Sequence, residues 1–328
     1  MLPDIEIAEK KLKKKTPFIV KATVTIALCV VILSCADWSD IFSAIMDANK
    51  LLLLVVFMCM LFNIVVSALK WRVLLNTHSI NINLISLIKF YLTGMFFSNF
   101  LPSMIGGDGY RMFKVFQSSR SKIGAVLPII FERLTGLVAL FVLALLTSFL
   151  SFLVLRDETS MIGIVLGTAG SVLTVLTIAA FSTFTFKKWF IKQSYIPEKL
   201  KNLIRHFNDY RRHRGPLIKC FLLSLFFYVF LFVYRYILLL TVGGSCHFFS
   251  IAFVTMISAV VACIPISING IGTMDGAFIF LISRFGVSYE IAIVVMVLQR
   301  TLSTSISLLG GIIYFRDRDS FKLKNSEK

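Results

Sequence analysis

Long apolar runs alternate with short basic loops along the 328 residues of this chain. Six of the runs are continuous and reach the roughly 20 residues with which an α-helix crosses the hydrocarbon core of a bilayer. They are residues 18–36, 51–69, 124–150, 161–186, 217–241 and 290–315. Two further apolar stretches, 84–117 and 250–284, are interrupted near their middle. The pattern predicts about six membrane-spanning helices and two broken helical segments.

Both interruptions are clusters of proline and glycine. The first begins at Pro102 and the second at Pro265, and glycines follow each proline within a few residues. Proline removes a backbone donor and glycine disfavours a continued helix, so each stretch is expected to stop and start again as a second helix. Each stretch therefore predicts a helical hairpin.

Charged residues beside the runs predict from which side of the membrane each hairpin enters. Basic clusters mark cytoplasmic loops, and they occur at residues 10–15, 70–72, 120–122 and 187–216 and in the tail 317–328. With both termini cytoplasmic, the first hairpin enters from the cytoplasm and the second from the outside. The domain plan is a basic N-terminus at 1–17, a membrane domain at 18–316 with the basic loop 187–216 inside it, and a cytoplasmic tail.

The spacing of four matched anchor residues indicates an internal repeat. The interval from Arg72 to Pro102 equals the interval from Arg235 to Pro265. The interval from Asp108 to Arg133 likewise equals that between their second-half counterparts, Asp275 and Arg300. Repeat one covers about 51–150 and repeat two about 217–315. The fold class is therefore an all-α integral membrane protein with two oppositely oriented re-entrant hairpins in an inverted repeat, an arrangement typical of secondary transporters.

Composition and charge narrow the function classes. Hydrophobic residues make up 57% of the chain, which no soluble domain of this length would bury. The net charge is +17, but the basic residues gather beside apolar runs, where they act as topology signals and contacts for anionic lipid. Nucleic acid is therefore not an expected partner. The six cysteines and four histidines show no metal-binding or disulfide spacing, so neither a metal nor a cofactor is expected.

Ionisable residues inside the spans are the first candidates for a binding site. Glu132, Arg133 and Arg300 lie within predicted spans, where each costs about 2.5 to 3.5 kcal/mol to insert. They should face a polar cavity or one another. One interpretation is an interhelical ion pair of Glu132 with an arginine. The other is phosphate binding by the arginines, whose forked donors match phosphate oxygens.

The hairpin tips are the second set of candidates. A helix that restarts within the membrane presents free backbone N–H groups, and glycine lets an anion approach them. The residues expected to bind substrate there are Gly106, Gly107, Asp108 and Arg111 at the first tip and Asn269, Gly270, Gly272 and Asp275 at the second. The alternative is that the glycines serve a plain turn with close packing and that the aspartates only cap helices.

Three segments together resemble a known family. They are the NFLPSMIGGDGYR stretch at 99–111, the Glu132–Arg133 pair, and the second tip from Pro265 to Gly272. They are similar to the flippase-like membrane domain of lysylphosphatidylglycerol synthases and of stand-alone proteins in that superfamily. The likeness covers nearly the whole chain, from about Phe18 to Arg316.

The resemblance implies a multi-pass protein of the bacterial inner membrane that binds or moves anionic or aminoacylated phospholipid, or a related lipid carrier. Full-length synthases add a soluble lysyl-transfer domain, which this chain lacks after its last span, so a catalytic role is not the first expectation. The alternative function is an enzyme or membrane subunit for lipid modification, either phosphatidylglycerol lysyltransferase-like or in a lipid-linked glycan pathway. Expected partners are a phospholipid or lipid-linked headgroup, a separately encoded synthase or glycosyltransferase, and a second copy in a homo-oligomer.

Overall fold

The computed structural model describes residues 23–28, 30–32, 34, 37–100, 106–155, 214–263, 267 and 270–326. Within these ranges the regular structure is helical, without β-strands, as the apolar runs predict. The described residues between 23 and 34 are helical as well. We number the other helices α1 (Trp38–Met46), α2 (Lys50–Asn76), α3 (Leu84–Phe100), α4 (Gly106–Ser119), α5 (Lys122–Leu155), α6 (Arg214–Thr241), α7 (Phe248–Ala262), α8 (Thr273–Ser283) and α9 (Tyr289–Ser326).

Four helices are long and apolar enough to cross a membrane: α2, α5, α6 and α9. Each has at least 27 residues. At about 1.5 Å per residue, such a helix exceeds the roughly 30 Å of the hydrocarbon core. They coincide with the predicted spans 51–69, 124–150, 217–241 and 290–315. The predicted span 161–186 and the basic loop up to residue 213 lie outside the described residues.

The two interrupted stretches form helix pairs as predicted. Helices α3 and α4 have 17 and 14 residues, and α7 and α8 have 15 and 11, so none reaches the length of a span. We call α3–α4 hairpin one and α7–α8 hairpin two. In hairpin one, Gly107 lies against Ser98, and Arg111, one turn further along α4, lies against Gly94, one turn earlier in α3. The two helices are therefore antiparallel.

The packing of the two halves follows the same plan. Exchanging α2 with α6, α3 with α7, α4 with α8 and α5 with α9 maps most of the main helix–helix contacts onto one another. The exception is the contact of α5 with α6, since α9 touches α2 only slightly. Thus α2 packs on α6. Hairpin one packs on α9, the last span of the second half, and hairpin two packs on α5, the last span of the first half. This pattern is what an internal duplication produces, and it brings both hairpins to the centre.

Close backbone contact fixes hairpin one against α9. A Cβ on Gly310 would lie 2.1 Å from the carbonyl oxygen of Leu92, so only glycine fits there. Thr93 Oγ1 donates to the Gly310 carbonyl oxygen at 3.2 Å, and Asn99 Nδ2 donates to Ser307 Oγ at 3.0 Å. Small residues and short polar bonds are the usual means by which helices associate in lipid. Hairpin one is thereby held to the opposite half.

Asn49 caps the first residues of α2, and its loss should cost measurable stability. Its Oδ1 accepts the N–H groups of Leu51 at 3.0 Å and Leu52 at 3.2 Å. We expect Asn49→Ala to lower the free energy of unfolding by about 1 kcal/mol, because the N–H groups lose their acceptor. Unfolding by SDS in mixed micelles, followed by circular dichroism, measures this. Asn49→Ser keeps an acceptor and is the control; equal losses in both variants would contradict a capping role.

Candidate functional site

A cavity of about 490 Å³ lies where the two hairpins meet the last spans of both halves. Hairpin one, hairpin two, α5 and α9 all contribute to its wall, and Phe227 of α6 adds an aromatic ring. Its lining residues are Tyr91, Gly94, Met95, Ser98, Asn99, Gly107, Asp108, Arg111, Arg133, Phe227, Ala262, Gly270, Met274, Arg300 and Ser303. The cavity therefore takes side chains from both halves of the chain.

At the first tip, one carboxylate binds two arginines. Asp108 stands in the first turn of α4, where the positive end of a helix favours a negative charge. Its Oδ1 accepts from Arg111 Nη1 at 3.2 Å. Its Oδ2 accepts from Arg133 Nη2 at 2.8 Å and Nε at 3.2 Å. Asp108 thus links the hairpin to α5.

Arg111 is buried behind this contact. Only 4% of its side chain is exposed, and its Nη2 donates to Glu132 Oε2 of α5. The guanidinium carbon lies 4.2 Å from the ring centroid of Trp71 and 4.5 Å from that of Tyr91. Stacking between aromatic rings favours a guanidinium over other cations. The guanidinium of Arg111 therefore contacts two aromatic rings and the carboxylate of Glu132.

The second tip contains the equivalent pair, Asp275 and Arg300. Arg300 Nη2 lies 3.1 Å from both carboxylate oxygens of Asp275, and Nε lies 3.3 Å from Oδ1. Asp275 Oδ2 also accepts the backbone N–H of Gly272 at 3.0 Å. Gly270 and Gly272 both have positive φ, 72° and 83°, which explains glycine at this turn. Asp275 therefore caps α8, which was the alternative interpretation of the tip aspartates, but it also pairs with Arg300. Its carboxylate occupies one N–H that we predicted for an anion.

Behind the tips, a cation and the aromatic ring that it contacts have exchanged places between the two halves. Phe278 stands three residues after Asp275, as Arg111 stands three after Asp108. The cation of the second half is instead Arg235 of α6, which lies over Phe278 at 5.0 Å and donates from Nε to Gln299 Oε1 at 2.8 Å. The first half has the cation on the hairpin and an aromatic ring, Trp71, on the span. The second half reverses this arrangement.

Most of the predicted site residues come together, but not all of them line the cavity. Gly107, Asp108, Arg111, Arg133, Gly270 and Arg300 do. Glu132 and Asp275 lie one contact behind, each hydrogen-bonded to a lining arginine. Gly106 and Gly272 are not among the lining residues. Asn269 lies outside the described residues.

The arginines at the two tips differ in exposure. The side chain of Arg133 is 69% exposed and that of Arg300 is 31% exposed, against 4% for Arg111. Glu132 takes the buried arginine, so the predicted interhelical ion pair of Glu132 is present. The two more exposed arginines of the cavity, Arg133 and Arg300, come one from each half.

The sequence analysis did not assign several lining residues to the site, including Tyr91, Gly94 and Ser98. Gly94 and Ser98 are four residues apart, which is the small-xxx-small spacing of close helix pairs in membranes. That spacing could have placed this face of α3 against α4. Tyr91 has no comparable signal, because many aromatic residues lie in these spans.

Comparison with known proteins identifies the family of this fold and site. The family model described as the lysylphosphatidylglycerol synthase TM region matches residues 18–311, which include both hairpins, α2, α5 and α6, and most of the spanning part of α9. This chain belongs to that family. The resemblance seen in the tip motifs is thereby confirmed, and the protein is a multi-pass membrane protein.

Relatives in this family include stand-alone membrane proteins from archaea. The UPF0104 membrane protein PH1989 of Pyrococcus horikoshii is 24% identical, covering 83% of this chain and 88% of its own length. The UPF0104 membrane protein MJ1595 of Methanocaldococcus jannaschii is 22% identical, covering 83% of this chain and 86% of its own. A second protein from that organism, MJ1078, is 25% identical and matches over its full length. Because these relatives are archaeal, a location in the bacterial inner membrane stays a prediction. The cytoplasmic position of both termini also stays a prediction from the sequence.

Proposed function

We propose that this protein binds the anionic headgroup of a membrane lipid in the central cavity and carries it across the bilayer. The observation on which the proposal rests is the position of Arg133 and Arg300. They come from equivalent spans of the two halves, and both line one cavity between the hairpin tips. A cavity lined by guanidinium groups inside a membrane protein is suited to a phosphate, whose oxygens match the fork of donors.

Arg133 and Arg300 can bind phosphate without leaving the carboxylates of their aspartates unpaired. Asp108 has a second partner in Arg111, and Asp275 has a second partner in the Gly272 N–H. When Arg133 or Arg300 turns towards a phosphate, the carboxylate it leaves keeps one hydrogen-bond donor. An unpaired carboxylate in the membrane would be costly, so this second donor lowers the cost of ligand binding.

The repeated halves supply a route for movement. In transporters built from repeats, the site lies between the halves, and rocking of one half against the other exposes it to each side in turn. Here the cavity is bounded by both halves, and each hairpin packs on the last span of the opposite half. A small rotation of one half against the other would open the cavity on one side of the membrane and close it on the other.

Transport by purified protein in proteoliposomes tests the proposal. A lipid with a fluorescent acyl chain and a phosphatidylglycerol headgroup should cross faster with protein than without. We expect Arg133→Ala and Arg300→Ala each to slow it about tenfold or more, because a hydrogen bond to a charged group is worth about 1.5 to 3 kcal/mol.

The control for these variants is Arg284→Ala. Arg284 is an exposed arginine at the end of α8 and does not line the cavity. It should retain the wild-type rate. Wild-type rates in both cavity variants, with all proteins folded, would contradict the assigned site. Absence of transport for every lipid, with a modified lipid detected by mass spectrometry, would favour the lipid-modification alternative.

A further inference from the structure

Arg235 is a buried cation that forms no ion pair with a carboxylate among the residues that the structure describes. Only 1% of its surface is exposed, and its Nη1 has no hydrogen-bond partner in the described part of the chain. Its Nε donates to the neutral Gln299, and Nη2 points at the sulfur of Met274 at 3.9 Å. An arginine stays protonated even when buried, so this position contributes a fixed positive charge.

The carboxylates near the cavity are already paired with other arginines. Asp108 pairs with Arg111 and Arg133, Glu132 pairs with Arg111, and Asp275 pairs with Arg300. With Arg235, four arginines face three carboxylates in this cluster, which leaves one positive charge in excess. Lys70 is also buried, with its ammonium 5.1 Å from the ring centroid of Phe227, and adds charge of the same sign.

The excess charge lies next to the cavity wall. Met274, which Arg235 contacts, lines the cavity, and Gln299 precedes the lining residue Arg300. Water screens little in a buried site within a membrane, so a charge one side chain behind the wall acts on whatever occupies the cavity. An occupant with a net negative charge offsets part of this excess. An occupant with a net positive charge increases the excess.

We propose that Arg235 makes the cavity select net anionic headgroups, such as phosphatidylglycerol, over aminoacylated headgroups with a net positive charge. This inference rests on the proposed function and names the substrate class of the same site. Arg235 acts as a specificity-determining residue through its charge, and it does not contact the lipid. Phosphatidylglycerol carries one negative charge, whereas lysylphosphatidylglycerol carries the same phosphate and a net charge of opposite sign.

The test replaces Gln299 with glutamate. Gln299→Glu keeps the shape of the residue that accepts from Arg235 and gives that arginine the carboxylate that Glu132 gives to Arg111. Transport of phosphatidylglycerol and of lysylphosphatidylglycerol, both with the same fluorescent acyl chain, is measured in proteoliposomes. We expect wild type to favour the anionic lipid about tenfold, equivalent to about 1.4 kcal/mol, and the variant to lose most of this preference.

Two controls separate charge from packing. Arg235→Lys retains the charge and should retain the preference even if both rates fall. Arg72→Gln removes an exposed arginine at the equivalent place in the first-half repeat and should leave both rates unchanged. A loss of packing alone would slow both lipids together, whereas a loss of charge changes their ratio.

Each outcome decides a different question. If wild type moves neither lipid, the proposed function is wrong. If wild type moves both equally or moves the cationic lipid faster, transport stands and the charge selection is overturned. If Gln299→Glu keeps the wild-type ratio, Arg235 does not set the selectivity. If that variant does not fold, Arg235→Gln takes its place, with the same expected loss of ratio.

Discussion

Replacing Gly107 with alanine is expected to prevent hairpin one from closing and to destabilise the protein by about 3 kcal/mol or more. A Cβ at this position would lie 2.3 Å from the carbonyl oxygen of Gly94 and 2.1 Å from Ser98 Oγ. The serine can turn away, but the Gly94 carbonyl belongs to the backbone of α3. Relief therefore requires α3 and α4 to separate at the tip, where Asp108 and Arg111 depend on their spacing.

Gly109→Ala is the matched control for this substitution. Gly109 lies two residues further along the same helix, and a Cβ there would meet no heavy atom within 4 Å. Alanine has the better helix propensity by about 1 kcal/mol, so this variant should be as stable as wild type or slightly more so. Thermal midpoints in detergent, read by fluorescence-detected size exclusion, compare the two. Equal midpoints would mean that α3 and α4 do not approach each other as closely as Gly94 and Gly107 indicate.

The helices and their interruptions could be predicted from sequence because their causes are local. The length of an apolar run sets whether a helix can span, and the clusters after Pro102 and Pro265 stop it. The pairs of Asp108 with Arg133 and of Asp275 with Arg300 could also have been predicted from the sequence, because the two halves repeat the same interval. Equal spacing in the two halves is evidence of a repeat, and it can be seen in a single sequence.

The arrangement behind the tips could not be predicted, because it depends on which helix faces are packed together. The repeated interval aligns Arg111 with Phe278, but nothing in the sequence states that Arg235 returns the missing cation from a different helix. The interval from Arg72 to Pro102 aligns Arg72 with Arg235, yet Arg72 is exposed and Arg235 is buried. A matched interval locates a residue along a helix but leaves its facing direction open.

This exchange also explains how the two halves can have similar shape and unequal charge. Each half places a guanidinium over an aromatic ring and bonds it to position 132 or 299. In the first half the contact with Glu132 is a neutral ion pair, whereas in the second half the contact with Gln299 stays positive. The asymmetry therefore depends on one amide in place of one carboxylate.

The buried pair of Arg111 and Glu132 provides the other large expected effect. Glu132→Ala should lower the free energy of unfolding by about 3 kcal/mol, because it leaves a buried guanidinium with one remaining carboxylate, Asp108. Replacing both members at once, as Arg111→Met with Glu132→Leu, should recover most of that loss, since apolar residues of similar size remove the charge together with its partner. SDS titration in mixed micelles, followed by circular dichroism, measures all three proteins.

Asp40→Ala provides the comparison for a carboxylate outside the buried cluster, because Asp40 is exposed on α1. Its removal should change the unfolding midpoint far less than Glu132→Ala does. A double variant as unstable as Glu132→Ala would mean that the loss comes from a cavity in α5 and not from an unpaired cation. Recovery in the double variant, combined with loss of lipid transport, would instead separate the two roles of Arg111: its charge would be dispensable for folding and required where α4 lines the cavity.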